Sequence, residues 1–566
     1  MAFSLLTGVA WAPPAAGAEL LEIQLEELEI PLSLDQLDAW SRRAEGVAIG
    51  SGGGAGAGGL PAGAAARRGA VGAGGVPTAL AGAAPGPPGA PAAEGPAPVP
   101  PQSDQDVWLD LLEPGSRRAL KRLLQAPLLR DRSFGSQLLD TWAGGQMLDE
   151  AGDLLTTPDG RSTAPLLQAT LRQLLRQRRE VTTLTLLRAV PVPRLRLRLD
   201  SLLTLAEQWR QQIQLQGEAL TALRDLSLPL RRSRPPVALE ERRRRPQRLL
   251  LAVRHRREPL PIDLWPARQP EASRHPWLLV LPGLGGNADQ LGWFAGALAG
   301  RGWSVAVPQH PGSDGRALKA ALEGQGPTPG AETLAVRLQD VAAVLAARRQ
   351  GQLPLPGEGV VLVGHSLGGL TALLAAGVEP QPGLAQRCRR ALDRLPLGNP
   401  SRLLQCELVN TGLPAPLPRP DDLRGVLLFH GFGSLLWPQG VTAELPQPVL
   451  MVGGSLDLVT PPLEEQLQLF LPTANPRSRL VLVEGGSHFS PVRMVEQEEA
   501  VLRLSRDLVG VDPGAVQNLL LGIGREFLLS LETPLLLPAQ VRSQEGVRAY
   551  VLDPAAARRW RQRLSP

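Results

Sequence analysis

Gly359-Val-Val-Leu-Val-Gly-His-Ser-Leu-Gly-Gly369 decides how this chain is read. The run Gly359–Val363 is a short apolar stretch of strand character, and Gly369-Leu-Thr-Ala-Leu-Leu-Ala-Ala376 continues as a helix. Between them, Gly364-His365-Ser366-Leu367-Gly368 sets a serine on a sharp strand-to-helix turn. Strand and helix come so close there that the residues two before and two after the serine must be small. Gly364 and Gly368 meet that demand, and Gly369 relaxes it further. In a chain with 61 Gly among 566 residues a G-x-S-x-G match is weak alone, so its setting has to carry it.

That setting is a series of strands alternating with helices. From about Pro235, strand patterns fall at Arg248–Val253, Leu260–Trp265, Trp277–Leu281, Ser304–Val307, Gly359–Val363, Val426–Phe429, Pro448–Val452 and Arg479–Val483. Helical patterns lie between many of them, notably Ala331–Arg349 and Gly369–Ala376. The alternation predicts an α/β fold over residues 235–550, with a mainly parallel, doubly wound sheet. Reactive groups are then expected beyond the carboxyl ends of the strands.

Two later strand ends carry what a serine nucleophile needs. A hydroxyl is a weak nucleophile unless a general base lies within hydrogen-bond reach, itself oriented by a third group. Pro448–Val452 runs into Gly453-Gly454-Ser455-Leu456-Asp457, which puts Asp457 where the orienting acid belongs. Arg479–Val483 leads to Gly485-Gly486-Ser487-His488, which puts His488 where the base belongs. The order serine, acid, histidine is one of those known for this constellation. Asp314 and Asp340 are rival acids, but neither follows a late strand. His430, at the end of Val426–Phe429, is the rival base. His310 is expected to line the site, His255 and His275 to be surface residues, and the His365 side chain to point away from the hydroxyl. Backbone N–H groups of Leu367 and of Leu284, in Pro282-Gly-Leu-Gly-Gly286, are the expected donors for a developing oxyanion. That Gly-rich turn lacks the Lys-Ser/Thr of a P-loop and the dinucleotide pattern G-x-G-x-x-G. No metal-ligand spacing occurs, and no cofactor is called for.

The rest of the chain reads as support. Residues 1–18 are apolar and end in Ala16-Gly17-Ala18, a leader-like stretch without a basic start, so export is the expectation. Residues 19–44 read as two short strands and a helix begun by the Ser33/Gln36 capping box. Residues 45–102 are almost wholly Gly, Ala and Pro and are expected to be a disordered insertion. Residues 103–230 carry leucines at helical spacing and no catalytic cluster, which predicts a mostly helical remainder of an N-terminal domain. The net charge of +5 is small for the length. Basic runs such as Arg242-Arg-Arg-Arg245 lack interleaved aromatics and flank a Pro-rich joint, so they read as linker and not as a nucleic-acid surface. No apolar run is long enough to span a bilayer. Residues 379–424 form a long connection after the elbow helix, expected to act as a lid or pocket wall. Its Leu395, Leu397, Leu403 and Leu404 either face a lipid-like substrate or pack inward. The same segment holds Cys388 and Cys406, the two cysteines of the chain. They either bridge, in an exported protein, or sit reduced as small apolar residues; the reading favours the bridge.

With these motifs together, the chain resembles cyanobacterial α/β-hydrolases that carry an N-terminal domain of unknown function. Its later part is similar to the platelet-activating-factor acetylhydrolase and dienelactone hydrolase branch. The resemblance rests on Glu19–Trp40, the stretch 104–216, Pro282–Gly286, His310-Pro-Gly-Ser-Asp314, Gly364–Gly369, Gly453–Pro462 and Gly485–Phe489. It implies carboxylic-ester hydrolysis of short-chain or phospholipid-derived esters, with a small ester or lipid-like partner and no cofactor. The alternatives are a thioesterase, amidase or acyltransferase with the same triad, or an envelope interaction protein whose helical domain docks a protein partner.

Overall fold

The computed structural model describes residues 17–43, 104–129, 142–177, 181–232, 245–267, 274–323, 325–393, 398–441, 445–493 and 510–564. Residues 1–16 of the expected leader and the Gly/Ala/Pro insertion lie outside these residues. The chain divides into two compact units, residues 35–125 and residues 1–34 with 126–566.

In the smaller unit, the helices Asp104–Asp110 and Pro114–Gln125 pair with residues of Leu34–Arg42. Trp40 Nε1 donates to Asp110 Oδ1 at 3.0 Å, and the Lys121 ammonium lies 5.0 Å over the Trp40 ring. An indole that keeps a polar partner while burying its body suits so small a unit.

The larger unit opens with β1 (Leu20–Leu25), β2 (Leu28–Ser33), β3 (Pro127–Leu129), β4 (Leu155–Thr156), β5 (Val181–Thr182) and β6 (Arg194–Arg198). β2, β1, β6 and β4 form one small sheet in that order, and β3 pairs with β5. The stretch 103–230 is therefore less uniformly helical than its leucines predict. The missed signal is Arg194-Leu-Arg-Leu-Arg198, a period-two pattern whose Leu195 is fully buried. It pairs in parallel with β1, more than 160 residues earlier, and Glu22 on β1 meets Arg194 and Arg196.

The main sheet is built from β7 (Leu230–Arg232), β8 (Gln247–Leu251), β9 (Leu260–Trp265), β10 (Trp277–Leu281), β11 (Val305–Pro308), β12 (Val360–His365), β13 (Leu423–Phe429), β14 (Val449–Gly454), β15 (Arg479–Val483), β16 (Gln540–Gln544) and β17 (Val547–Leu552). Its order is β7-β16-β17-β15-β14-β13-β12-β10-β11-β9-β8. The six strands from β11 to β15 run parallel, and antiparallel pairs extend both edges. Strands β7, β16 and β17 were not anticipated, and the sheet continues past residue 550. Parallel strands buried on both faces need apolar residues at successive positions, and β10 and β12 are buried throughout.

Side-chain alternation assigns the two faces. Val360 and Leu362 join a core with the helices Leu334–Arg349, Leu367–Ala375 and Pro554–Arg563, while Val361 and Val363 join a second core with Ala288–Ala299 and Pro513–Glu532. Each fully buried Val or Leu contributes about 1.5–3 kcal/mol. The helix Leu199–Arg224 also belongs here: Ala219, Ala222 and Leu223 enter the first core, and Trp560 Nε1 donates to Ala219 O at 2.9 Å. No helix among the described residues is long and apolar enough to cross a membrane.

Strand order reverses beside β12. The chain goes from β10 outward to β11, then returns to place β12 on the other side of β10. Such a switch point opens a crevice at the carboxyl ends of the strands, and β12 ends there with the serine.

Candidate active site

Ser366 has φ 53° and ψ −121°, a left-handed backbone for a residue with a side chain. Strain of about 1–3 kcal/mol persists only where the surroundings enforce it. They do so here: a Cβ on Gly364 would come within 2.2 Å of Gly368 O, and one on Gly368 within 2.0 Å of Leu281 O. The two small positions are thus required by strand–helix contact on both sides of the serine. From Val360 to Ala376 every residue is buried except Ser366, which is half-buried. The turn lifts one side chain out of the core.

Asp457 and His488 come together through a second pair of glycine contacts. A Cβ on Gly454 would meet Gly486 O at 2.2 Å, and Leu456 N donates to Gly486 O at 2.9 Å. The loops after β14 and β15 are thereby locked side by side, and His488 Nδ1 lies 3.1 Å from Asp457 Oδ2. Asp457 Oδ1 accepts from the N–H groups of Val459 and Thr460 at 2.9 and 2.8 Å. Burial pushes the Asp457 carboxyl up, but the His488 charge and the hydrogen bonds from His430 and His488 outweigh it and hold it below the usual range. No hydrogen bond joins Ser366 Oγ to His488 among the described residues; such contacts often tighten only with substrate bound.

The turn Pro282–Gly286, expected to supply an oxyanion donor, abuts the serine. A Cβ on Gly283 would lie 3.3 Å from Ser366 Cβ, and Gly285 takes φ 70°. Leu284 sits between them with a 36% exposed residue surface. Leu367 opens the helix Leu367–Ala375, so its N–H belongs to the turn that has no partner within the helix.

Three features of the site were not legible in the sequence. His365 does not simply point away: its Nε2 lies 3.0 Å from His488 O and its ring 5.0 Å from the His488 ring. Burial pushes its imidazole well below the ordinary value, so it is neutral. His430 shares the acid, with Nδ1 2.6 Å from Asp457 Oδ2. Arg337, fully buried, reaches under the oxyanion turn: it donates to Pro282 O, to Ser313 Oγ at 2.8 Å and to Thr371 Oγ1 at 3.3 Å. Its place on the apolar stripe of Leu334, Leu338 and Val341 signals that it faces inward, but not which groups it meets.

The rival groups are engaged elsewhere. Asp314 caps the helix Gly315–Leu322 through Ala317 N at 3.0 Å. Asp340 is buried against Arg256, His255 and His310. His255 is thus no free surface residue, and neither is His275, which bonds Glu532 and stacks on Trp303.

The segment 379–424 forms the helices Leu384–Ala391 and Ser401–Thr411, and Cys388 and Cys406 are bonded across them with Cα atoms 5.4 Å apart. Leu395 and Leu397 lie outside the described residues; Leu403 and Leu404 are half-buried, and Leu404 packs on the first core. The second helix is anchored by Glu465, whose buried carboxylate accepts from Asn399, Ser401 and Gln405 and from the Gly433 and Ser434 N–H groups. The segment is thereby tied to the helical turn that follows Asp457.

Among the described residues, His430, Asp457 and His488 hold His and carboxylate ligand atoms within 4.8 Å of one another. Both Nδ1 atoms already face one carboxylate oxygen at hydrogen-bond distance, which is the arrangement of a proton-sharing cluster.

Strand order, elbow and loop positions place the fold. The chain carries an α/β-hydrolase domain. Residues 278–504 match the model of the alpha/beta hydrolase family, and residues 101–198 match that of an alpha/beta hydrolase of unknown function. No curated protein matches. Among solved structures, Thermogutta terrifontis esterase 2 phosphoramylated by tabun is 13% identical, with a TM-score of 0.30; the match covers 52% of this chain and 98% of that one.

Proposed function

We propose that this α/β-hydrolase is a serine hydrolase of carboxylic esters. The observation that carries the reading is the convergence at one sheet edge. A strained, half-exposed Ser366 ends β12, and an acid–histidine pair 3.1 Å apart follows β14 and β15.

In this reading Ser366 Oγ attacks the ester carbonyl carbon while His488 Nε2 takes its proton. The carbonyl π electrons move onto oxygen, and the oxyanion is held by the Leu284 and Leu367 N–H groups. Collapse breaks the bond to the alcohol oxygen, which leaves with the proton from His488. Water then attacks the acyl-enzyme carbonyl and gives a proton to His488; the bond to Ser366 Oγ breaks, Oγ takes that proton back, and the acid leaves. Asp457 keeps the His488 Nδ1 proton in place and supports the imidazolium that forms in each half-reaction. Exposed Leu284, in the expected oxyanion turn, and Leu456, next to Asp457, favour an apolar acyl group. The Cys388–Cys406 bond supports placement outside the reducing cytosol.

Hydrolysis of p-nitrophenyl esters of graded acyl length by wild type and Ser366→Ala tests this reading. Activity confined to wild type, with acyl-enzyme trapped on Ser366 by mass spectrometry, is the expected result. Equal rates in both proteins would remove the serine from the mechanism. Faster turnover of matched thioesters or amides would keep the triad and change the substrate class.

A further inference from the structure

Asp457 Oδ2 accepts from more than the general base. His430 Nδ1 lies 2.6 Å away, Thr460 Oγ1 also 2.6 Å, and His488 Nδ1 3.1 Å. The closest imidazole is therefore not the one at the end of β15 but one held beneath it, at the end of β13. An ionised carboxylate only accepts, so the facing His430 nitrogen carries the proton.

His430 is built into this position with some force. It adopts φ 51°, its N–H donates to Val452 O at 2.7 Å, and the residue is 1% exposed. Glycine would take that backbone without strain, so a histidine there calls for a role for the side chain. Its neighbours from each packed element can be named. His365 on β12 has its ring 6.2 Å away, His488 beyond β15 has its ring 5.6 Å away, and Asp457 beyond β14 receives its proton. Glu465, on the turn that follows, is held by Gly433 and Ser434 N–H groups and by Asn399, Ser401 and Gln405.

We propose that His430 is a positioning residue: a neutral imidazole that donates its Nδ1 proton to Asp457 Oδ2 and, by sharing that oxygen with His488, tempers how strongly the carboxylate supports the His488 imidazolium. The proposal rests on the serine-hydrolase reading. It also fits the environment, because burial pushes the His430 imidazole below its ordinary value and favours the neutral form. Each donor on a carboxylate disperses its charge, so removing one raises the basicity of the partner that remains.

The acid limb of the kcat/KM profile is the test, since it reports the free enzyme's base. His430→Phe fills the volume without a donor, whereas His430→Asn keeps an N–H near the Nδ1 position. With His430→Phe the acid limb is expected to move up by about half to one pH unit; with His430→Asn it stays close to wild type. An unmoved limb in His430→Phe, with Ser366→Ala and His488→Asn both inactive, overturns the proposal and leaves the triad standing. Activity that survives in Ser366→Ala overturns the underlying reading instead. Activity that survives in His488→Asn and vanishes in His430→Asn makes His430 the base and overturns the positioning role. If His430→Phe does not fold, wild type labelled with 15N-histidine decides. Two downfield imidazole Nδ1–H resonances, with one lost in His430→Asn, support the shared carboxylate; a single resonance in wild type overturns it.

Discussion

Among the described residues two buried aspartates each meet two histidines, and only one of them takes part in the proposed reaction. Asp457 receives His430, His488 and Thr460, with no arginine among its partners. Asp340 receives His255 and His310, and also Arg256 through two bonds of 2.6 Å. The guanidinium balances the Asp340 charge permanently, so little field remains to stabilise an imidazolium. His310 accordingly stays neutral: burial and the Arg337 charge push its imidazole down to about 4. At Asp457 the negative charge is met by hydrogen-bond donors alone and remains available to a proton arriving on His488. Under the proposed reaction the same residue types thus serve as scaffold in one place and as proton machinery in the other, and the arginine separates the two.

The sharpest break in this comparison comes from single substitutions at each cluster. Ser366→Ala is expected to lower kcat by on the order of 10⁵- to 10⁶-fold, and Asp457→Asn by on the order of 10⁴-fold, measured on the best ester found in the acyl-length series. Asp340→Ala inverts the pattern. It strands Arg256 in the interior and is expected to cost about 3–5 kcal/mol in denaturant melts, while activity per folded molecule falls far less than in Asp457→Asn. Comparable loss of turnover from both aspartates would erase the distinction.

How far the sequence reveals this division depends on the distance over which each signal acts. The positions of Ser366, Asp457 and His488 are legible because each follows a buried strand, and glycines at 364, 368, 454 and 486 mark close backbone approaches. The strand spans Leu260–Trp265, Trp277–Leu281 and Arg479–Val483 are also read to the residue. The other strands of the parallel core shift by one to three residues at their ends, which periodicity defines poorly. What the sequence hides is partnership. Nothing in Phe429-His430-Gly431 says that the histidine turns toward Asp457. In the helix Leu334–Arg349 the stripe Leu334, Leu338, Val341 and Leu345 places Arg337 on the inward face, but nothing local names the groups that it and Asp340 meet. The Glu465 hub joins segments from 399 to 465 by hydrogen bonds that no local pattern encodes. β6 was legible and was masked by the leucine-rich helices around it.

Acid sharpens the comparison by a smaller amount. His310 titrates at about 4 in the fold against an ordinary 6.5, so between these values the unfolded chain binds the extra proton. Stability is therefore expected to rise with pH across that window and to be lost as pH falls from 6.5 toward 4, by about 3 kcal/mol for this one group. His365 and His430, also pushed down by burial, act in the same direction. Below this window Asp340, pushed up by burial but held down to about 2 by Arg256 and His310, begins to lose its ion pair. Urea melts at pH 7, 6, 5 and 4 check the slope. A flat profile from 6.5 to 4 would mean that the histidines are not buried neutral.

The smallest effect tests whether the scaffold cluster reaches the chemistry at all. Arg337 links the two regions, because it lies beside Asp340 on one helix and donates to Pro282 O, the carbonyl that begins the oxyanion turn. Burial pushes its guanidinium down to about 9, still charged at neutral pH. Arg337→Lys keeps the charge but cannot hold Pro282, Ser313 and Thr371 together from one planar fork. The turn then loses its alignment, although its N–H donors are still present. The expected loss in kcat is about tenfold, less than the 10²–10³-fold that follows removal of an oxyanion donor outright. KM stays nearly constant, since a misaligned N–H weakens the transition state more than the ground state. Affinity for a trifluoromethyl ketone, which forms the tetrahedral adduct on Ser366, falls in proportion to kcat. A variant that loses thermal stability but keeps kcat and inhibitor affinity would confine Arg337 to the scaffold and sever the two clusters.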